Sequence, residues 1–251
     1  MNEPDYRSVK TKFERSIATY DEHATAQRMI VSRLAGLVDR LYKGNPSRIL
    51  EVGCGTGLLT REISLRFSPE QYYLNDINEK IKEFIPESSC YSFLPGDARR
   101  LVFPSNIDLF VSTSAIQWFS DPFLFFETMQ PRMSSGGYLF FSTFGKSNLR
   151  EIRELEGAGL QYYDKGRLMS GLSSLFRVFY AEEETITLTF ESPLAVLSHL
   201  KLTGVNGGFA TAWNKSKLIR FCEEYRSRFS FNTGVSLTFN PIYVGMKMFN
   251  T

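Results

Sequence analysis

Three glycines at alternate positions, Gly53, Gly55 and Gly57, constrain this chain more than any other feature. They follow an apolar run, Ile49-Leu50-Glu51-Val52, that ends near an acid, and they precede a helix-forming segment, Leu58-Leu59-Thr60-Arg61-Glu62. Glycines spaced in this way allow a turn too tight for side chains, lined by backbone N–H groups and open to a ligand. A helix N-terminus beside that turn favours an anionic group. A strand, a glycine turn and a helix in that order read as the start of an α/β nucleotide-binding unit.

The spacing selects among ligands. Dinucleotide sites use G-x-G-x-x-G around a pyrophosphate. Here the spacing is G-x-G-x-G, and Glu51 stands two residues before the first glycine. An acid at the strand end repels a pyrophosphate and suits a cation such as an α-ammonium group. A nicotinamide dehydrogenase is therefore disfavoured. The segment Glu51-Val52-Gly53-Cys54-Gly55-Thr56-Gly57 resembles the first motif of the class I S-adenosylmethionine (SAM) methyltransferases.

Two further strand-like segments also end in acids. Gln71–Ile77 carries Asp76, about twenty residues past the glycines, the spacing at which a carboxylate reaches ribose hydroxyls. Ser92–Ala98 ends at Gly96-Asp97-Ala98, and Ile107–Ser112 reads as the next strand. Each acid alone is commonly a cap or turn residue. Three in succession mark the carboxyl edge of an open sheet, where such folds bind ligands.

Residues 5–43 read as helical, with Met29, Ile30, Leu34, Leu37, Val38 and Leu41 at helical spacing. Strands are then expected at 47–52, 71–76, 90–94, 107–112 and 137–143. Helices are expected at 57–67, 78–85, 122–132 and near 147–157. Asp121-Pro122 is a helix start. The period-two runs Thr185–Phe190 and Val235–Phe249, the second interrupted by Pro241, read as the sixth and seventh strands, with helices at 193–204 and 214–230 between them. This alternation predicts an α/β fold with a mostly parallel sheet covered by helices on both faces. The resemblance adds seven strands, the last antiparallel.

The chain of 251 residues shows no linker and reads as one domain: a helical N-terminal lid over 1–45, a SAM-binding core over 46–146 and a helical insertion over 191–233 on the substrate side. A formal charge of +2 implies no nucleic-acid partner. No membrane-spanning run or secretory pattern is seen, and a cytoplasmic protein is expected. Cys54, Cys90 and Cys222 form no disulfide or metal pattern, so no metal is expected. Twenty-two phenylalanines and twelve tyrosines suit a thick core and an apolar pocket. Oligomeric state is left open.

Four segments narrow the resemblance. Phe13–Gln27 is similar to an F-x-x-x-A-x-x-Y-(D/E)-x-x-A-x-x-Q opening, and Ser112–Phe119 to S-N-x-A-x-Q-W. Leu200–Asn206 is similar to L-K-x-(T/I)-G, and Leu237–Gly245 to a closing L-T-Y strand. Together, from about residue 10 to the end, they resemble the malonyl-acyl-carrier-protein O-methyltransferases of biotin synthesis. Thr113 stands where Asn is common and Ile17 where Ala is common.

The resemblance implies methyl transfer from SAM to a malonyl carboxylate, leaving S-adenosyl-L-homocysteine (SAH), with an acyl carrier protein bearing malonyl-phosphopantetheine as partner. For the cofactor it implies Tyr20, Gln27, Glu51, Gly53, Cys54, Gly55, Gly57, Asp76, Ile77, Asp97, Ala98, Ser112 and Ser114. For the substrate, Gln117 and Trp118 are candidates for the pocket wall, and the malonyl carboxylate needs a cation, for which Lys201 and Arg15 are candidates, with Arg99, Arg132 and Arg150 left open beside Arg15. Tyr20 and Lys201 are positioning candidates, and no catalytic base is implied, because a carboxylate with a pKa of about 4 is already a nucleophile. His23 and His199 receive no role. Basic runs on 214–230 (Lys215, Lys217, Arg220, Arg226, Arg228) and at Lys146, Arg150 and Arg153 read first as solvated faces and second as a carrier-docking surface. The alternatives are a quinone or phenol methyltransferase and a non-methylating SAM-binding assembly factor.

Overall fold

The computed structural model describes residues 6–157, 159–204 and 213–249. Two helices, α1 (Tyr6–His23) and α2 (Thr25–Leu41), open the chain and are broken at Ala24. On α2 the residues Ile30, Leu34, Leu37 and Val38 are buried as their spacing predicts, whereas Met29 lies on the outer face, 48% exposed.

A seven-stranded sheet follows. In chain order its strands are β1 (Arg48–Val52), β2 (Gln71–Asp76), β3 (Tyr91–Pro95), β4 (Ile107–Thr113), β5 (Met133–Phe144), β6 (Arg177–Glu183) and β10 (Pro241–Lys247). Their spatial order is β3-β2-β1-β4-β5-β10-β6, with β10 antiparallel to both neighbours and the remaining pairs parallel. The seven strands with an antiparallel last strand agree with the expectation.

Strand alternation sends side chains to two cores. Ile49, Leu109, Val111 and Phe140 face the side covered by α1, α2 and α3 (Leu58–Ser64). Leu50, Phe110, Phe141 and Val244 face α4 (Pro122–Met129) and α6 (Lys165–Ser173). Phe126, Phe141 and Phe176 are fully buried on this second side, each contributing roughly 1.5–3 kcal/mol of burial. The start of α4 is as predicted: the Asp121 carboxylate accepts from the N–H groups of Phe123 and Leu124, and Pro122 occupies the first turn.

The end of the chain differs from expectation. Thr185–Phe190 was expected in the main sheet. Its strand β7 (Ile186–Phe190) instead pairs with β9 (Gly234–Phe239), which also pairs with β8 (Ser230–Phe231), in a separate small sheet. The sixth strand of the main sheet in chain order is β6, an edge strand whose residues alternate between exposed and half-buried. An edge with no deeply buried face carries no strong apolar pattern, so the sequence predicts no strand there. The run 235–249 is two strands, divided at Asn240-Pro241. Asn240 pins the corner: its Oδ1 accepts from Ser147 N at 3.1 Å and its Nδ2 donates to Glu184 O at 2.9 Å. The chain passes this corner so closely that a Cβ on Gly145 would lie 2.5 Å from Asn240 Oδ1. Residues 78–85 form a 3-10 turn (Glu79–Glu83) rather than an α-helix, and 130–132 form another, where Pro131 ends α4. The helices α5 (Arg150–Glu156), α7 (Pro193–Leu202) and α8 (Lys215–Phe229) complete the fold.

Candidate functional site

The glycine turn joins β1 to α3 at the carboxyl edge of the sheet. Gly53, Gly55 and Gly57 all have positive φ, at 73°, 50° and 82°. Residues with a Cβ rarely adopt this conformation, which is why glycine is required at these three positions. The turn is fastened to β2. The N–H groups of Gly53 and Cys54 both donate to Asn75 O, at 2.8 and 2.9 Å, and Gly55 N donates to Asp76 Oδ2 at 3.0 Å. These N–H groups hold the turn in shape rather than standing open to a ligand, as the sequence had suggested. Asn75 is itself buried, and its Nδ2 donates to Leu94 O and Gly96 O, so one residue ties β2 to the turn through its backbone carbonyl and to the end of β3 through its side chain.

A cavity opens above this edge. Its polar wall contains Gly53, Cys54, Gly55, Thr56, Asp76, Ile77, Asn78, Asp97 and Ala98. Thr113, Ser114 and Ala115 close it at the end of β4, beside Trp118 and Phe119. Phe13, Ser16, Ile17 and Tyr20 of α1, with Gln27 and Val31 of α2, form the roof, which is apolar at Phe13, Ile17 and Val31. Phe13 meets Trp118 edge-on, with ring centroids 5.7 Å apart, so α1 is joined across the cavity to the segment after β4.

A second contact holds α1 to the glycine turn. Asp21 accepts from Thr56 Oγ1 at 2.5 Å and from Arg61 Nη2 at 3.1 Å, while Arg61 Nη1 donates to Thr56 O at 2.9 Å. Thr19 Oγ1 donates to Leu202 O at 3.1 Å, linking α1 to α7. A Cβ on Gly204, just past α7, would lie 2.6 Å from Ser16 Oγ, which shows how closely that segment approaches α1.

The electrostatics follow from burial. Asp76 is held above the usual carboxylate range by burial, against the pull of the Asn78 and Gly55 N–H groups. Burial, then the nearby Asp21 and Asp76 charges, push the Tyr20 hydroxyl well above its ordinary value, so it stays a neutral donor. For Asp97, burial acts upward, but the Arg99 guanidinium overcomes it and the carboxyl sits below the usual range. Arg99 grips Asp97 through Nε at 2.9 Å and Nη2 at 2.5 Å. Burial raises the Cys54 thiol, which marks it as a packing residue rather than a nucleophile.

Of the predicted site residues, Tyr20, Gln27, Gly53, Cys54, Gly55, Asp76, Ile77, Asp97, Ala98, Ser114 and Trp118 meet in this cavity. Others do not reach its wall. Ser112 turns toward the neighbouring strand and donates to Val52 O at 2.8 Å. Gln117 braces the segment from behind, donating to Ser114 O at 2.6 Å. That bond supports Ser114 at its positive φ of 52°. Gly57 caps α3. Glu51 lies fully buried beneath the turn. Lys201 is exposed on α7 and absent from the wall. Arg15 lies on α1 with its side chain outside the described residues, as do Val205 and Asn206 of the Leu200–Asn206 segment. Residues not assigned from sequence include Phe13, Ile17, Asn75 and Asn78. Phe13 opened a recognised segment, and its aromatic character at a helix face was the available signal.

Three buried polar atoms on the wall, Gln27 Oε1, Asn78 Nδ2 and Ser114 Oγ, have no hydrogen-bond partner among the described residues. Orphaned polar atoms facing a cavity are what a ligand with several donors and acceptors satisfies. With the two carboxylates, the partly apolar roof and the glycine turn, the donor set fits a nucleoside joined to an amino acid. Among the described residues, no group of three His, Cys, Asp or Glu is placed to hold a metal, and no helix is long and apolar enough to cross a membrane.

Comparisons with known proteins agree with this geometry. Residues 50–141 match a family model described as a methyltransferase domain. A malonyl-[acyl-carrier protein] O-methyltransferase of Bacteroides thetaiotaomicron is 39% identical over 249 residues, covering 94% of this chain and 95% of that protein. One of Bacteroides fragilis is 41% identical over 240 residues, covering 94% of this chain, which spans 49% of that longer protein. The N-methyltransferase NodS of Bradyrhizobium japonicum, solved with S-adenosyl-L-homocysteine, superposes with a TM-score of 0.59 at 13% identity, covering 96% of this chain and 98% of that one. At that identity the likeness concerns the fold alone. Near-complete coverage at this level of identity places the chain in a family: it belongs to the malonyl-[acyl-carrier protein] O-methyltransferases.

Proposed function

We propose that this protein transfers a methyl group from SAM to the free carboxylate of a malonyl group carried on acyl carrier protein, giving the malonyl methyl ester that starts pimeloyl and biotin synthesis. The observation that carries this reading is the cavity between the glycine turn and α1, in a chain of this family. The cofactor supplies an activated methyl group on a sulfonium cation. The protein's own work is to bind, align and exclude water. The malonyl carboxylate needs no base. A cation and an anion react to give neutral products, so a dry, apolar site favours the reaction. Holding the reactants in line supplies further rate, up to roughly 7–11 kcal/mol in well-oriented systems.

In this reading Asp76 takes the ribose hydroxyls, and Asp97 and Ala98 hold the adenine. Gly53 and Gly55 admit the amino-acid end. Gln27, Tyr20 and Ser114 line the methyl-donor side, and α1 acts as the lid. Residues 191–233 form the substrate-side insertion, which carries the short strand β8 as well as α7 and α8. Trp118 and Phe13 wall the acceptor. Arg15 is the cation proposed for the malonyl carboxylate, because an arginine fork fits a carboxylate. The exposure of Lys201 argues against that role for it. A cytoplasmic location belongs to the same reading.

The basic faces expected for carrier docking are largely charge-compensated. Lys217 pairs with Glu156 at 2.7 Å, Arg228 pairs with Glu154, and Lys146 pairs with Asp164 at 2.8 Å. The solvated-face reading therefore has the better support. The test offers purified enzyme and SAM with malonyl- and acetyl-acyl carrier protein in parallel, measuring S-adenosyl-L-homocysteine. Release with the malonyl carrier alone supports the proposal. Equal release with the acetyl carrier, which has no free carboxylate, or none with either, would sink it.

A further inference from the structure

Glu51 presents an arrangement that the methyl-transfer reading does not use. Its side chain is fully buried at the end of β1, directly beneath the glycine turn. Two hydroxyls donate to the same oxygen, Oε2: Tyr72 OH at 2.6 Å and Thr60 Oγ1 at 2.9 Å. The other oxygen, Oε1, is buried with no partner among the described residues. Had the two donors served only to neutralise a buried acid, one on each oxygen would satisfy it better. Tyr72 reaches Glu51 diagonally across the β1–β2 pair, since its register partner is Ile49 and that of Glu51 is Leu74. The tyrosine is itself immobilised, fully buried and edge-on to Tyr91 at 5.6 Å. Thr60 projects from α3, fully buried as well.

We infer that Tyr72 and Thr60 are positioning residues for Glu51: they fix one carboxylate oxygen and leave the other to set the negative charge under the turn that the α-ammonium group of the cofactor meets. This rests on SAM being the ligand. The charged groups around Glu51 are few. Tyr72 and Asp76 face it from β2, Arg61 from α3 and Cys54 from the turn. Burial pushes the Glu51 carboxyl up to about 7; the Tyr72 and Thr60 bonds and Arg61 pull it down, and Asp76 pushes it up. Both hydroxyl bonds favour the ionised form, so loss of either raises the carboxyl further. Cofactor binding then weakens as pH falls, because Glu51 takes a proton and loses its charge. An alkaline limb is expected separately, where the cofactor amine leaves its ordinary range of about 7.7–8.0.

The test is calorimetric binding of S-adenosyl-L-homocysteine, which keeps the amino group, to the full chain from about pH 5.5 to about pH 9, spanning both groups. Tyr72→Phe should move the acid limb upward by about one unit, making binding about fivefold weaker near pH 7, about tenfold weaker well below it, and near normal at the alkaline end. Thr60→Val should move the limb the same way by less, and Glu51→Gln should remove it. An acid limb that stays in place in Tyr72→Phe and Thr60→Val, or an affinity loss of equal size at every pH, overturns the positioning role. Wild-type protein that binds no S-adenosyl-L-homocysteine at any pH overturns the cofactor reading itself, and is told apart by that.

Discussion

Two glycines in the same turn should respond to alanine differently, one mainly in stability and the other mainly in ligand binding. Gly53 has a φ of 73°, and a Cβ built on it lies 2.4 Å from the Cβ of Ala115. Ordinary carbon contacts are about 3.5–4.0 Å, so more than an ångström must be found between the turn and the segment after β4. That segment is held by the Gln117 bond and the positive φ of Ser114, so it has little room to yield. The left-handed conformation costs about 1–2 kcal/mol for alanine, and overpacking about 1–3 more. Gly53→Ala should therefore lose about 2–5 kcal/mol, a Tm drop of roughly 5–15 °C for a chain of this size. Gly55 has a φ of 50°, but a Cβ on it meets nothing within 4 Å. Its cost is the conformational part alone, roughly 1–2 kcal/mol, or a few degrees. Gly55 lines the cavity, however, so the added methyl stands where the ligand should lie. Gly55→Ala should bind S-adenosyl-L-homocysteine at least about tenfold more weakly, which is about 1.4 kcal/mol. Thermal melting without ligand and calorimetry with it measure the two effects separately. If Gly55→Ala melts as low as Gly53→Ala, or binds normally, the assignment of the turn as cofactor wall is wrong.

Asp21→Asn should loosen α1 from the glycine turn, speeding dissociation of S-adenosyl-L-homocysteine several-fold in stopped flow. Its effect on Tm should be small, because the ion pair with Arg61 is partly exposed, at 46% and 41%, and screened. Asp76→Ala should raise the Michaelis constant for SAM far more than that for malonyl-acyl carrier protein; equal increases would count against its ribose role. Arg15→Ala should raise the Michaelis constant for the malonyl carrier about tenfold, while Lys201→Ala should stay within about twofold; the reverse ranking in steady-state kinetics would exchange their roles.

The parts of the fold that were legible in the sequence are those with one dominant pattern. The strands from β1 to β5 are apolar runs punctuated by Gly or Asp, and the helix start at Asp121-Pro122 has a local chemical signature. The illegible parts share a physical reason. The edge strand β6 has no deeply buried face, and the 235–249 run hides a change of sheet that is fixed by the side chain of Asn240 contacting residues far along the chain. The site divides similarly. Residues on the turn and at the strand ends, such as Asp76 and Asp97, are placed by local geometry and could be read. Whether a side chain faces the cavity or the sheet behind it depends on tertiary contacts. Ser112 and Gln117 sit beside Thr113 and Trp118 in sequence, yet one pair braces and the other lines the wall. Glu51 stands out in the sequence as an acid before the glycines, but its two hydroxyl partners come from β2 and α3 and carry no sequence motif.

The central claim is that the methyl group goes to oxygen on the malonyl carboxylate. Incubation with methyl-labelled SAM and malonyl-acyl carrier protein, followed by mass spectrometry before and after mild alkaline hydrolysis, tests it directly. The account predicts a one-methyl gain on the malonyl group that leaves as labelled methanol on hydrolysis. A label that stays on carbon, or no gain from enzyme that binds the cofactor, would contradict it.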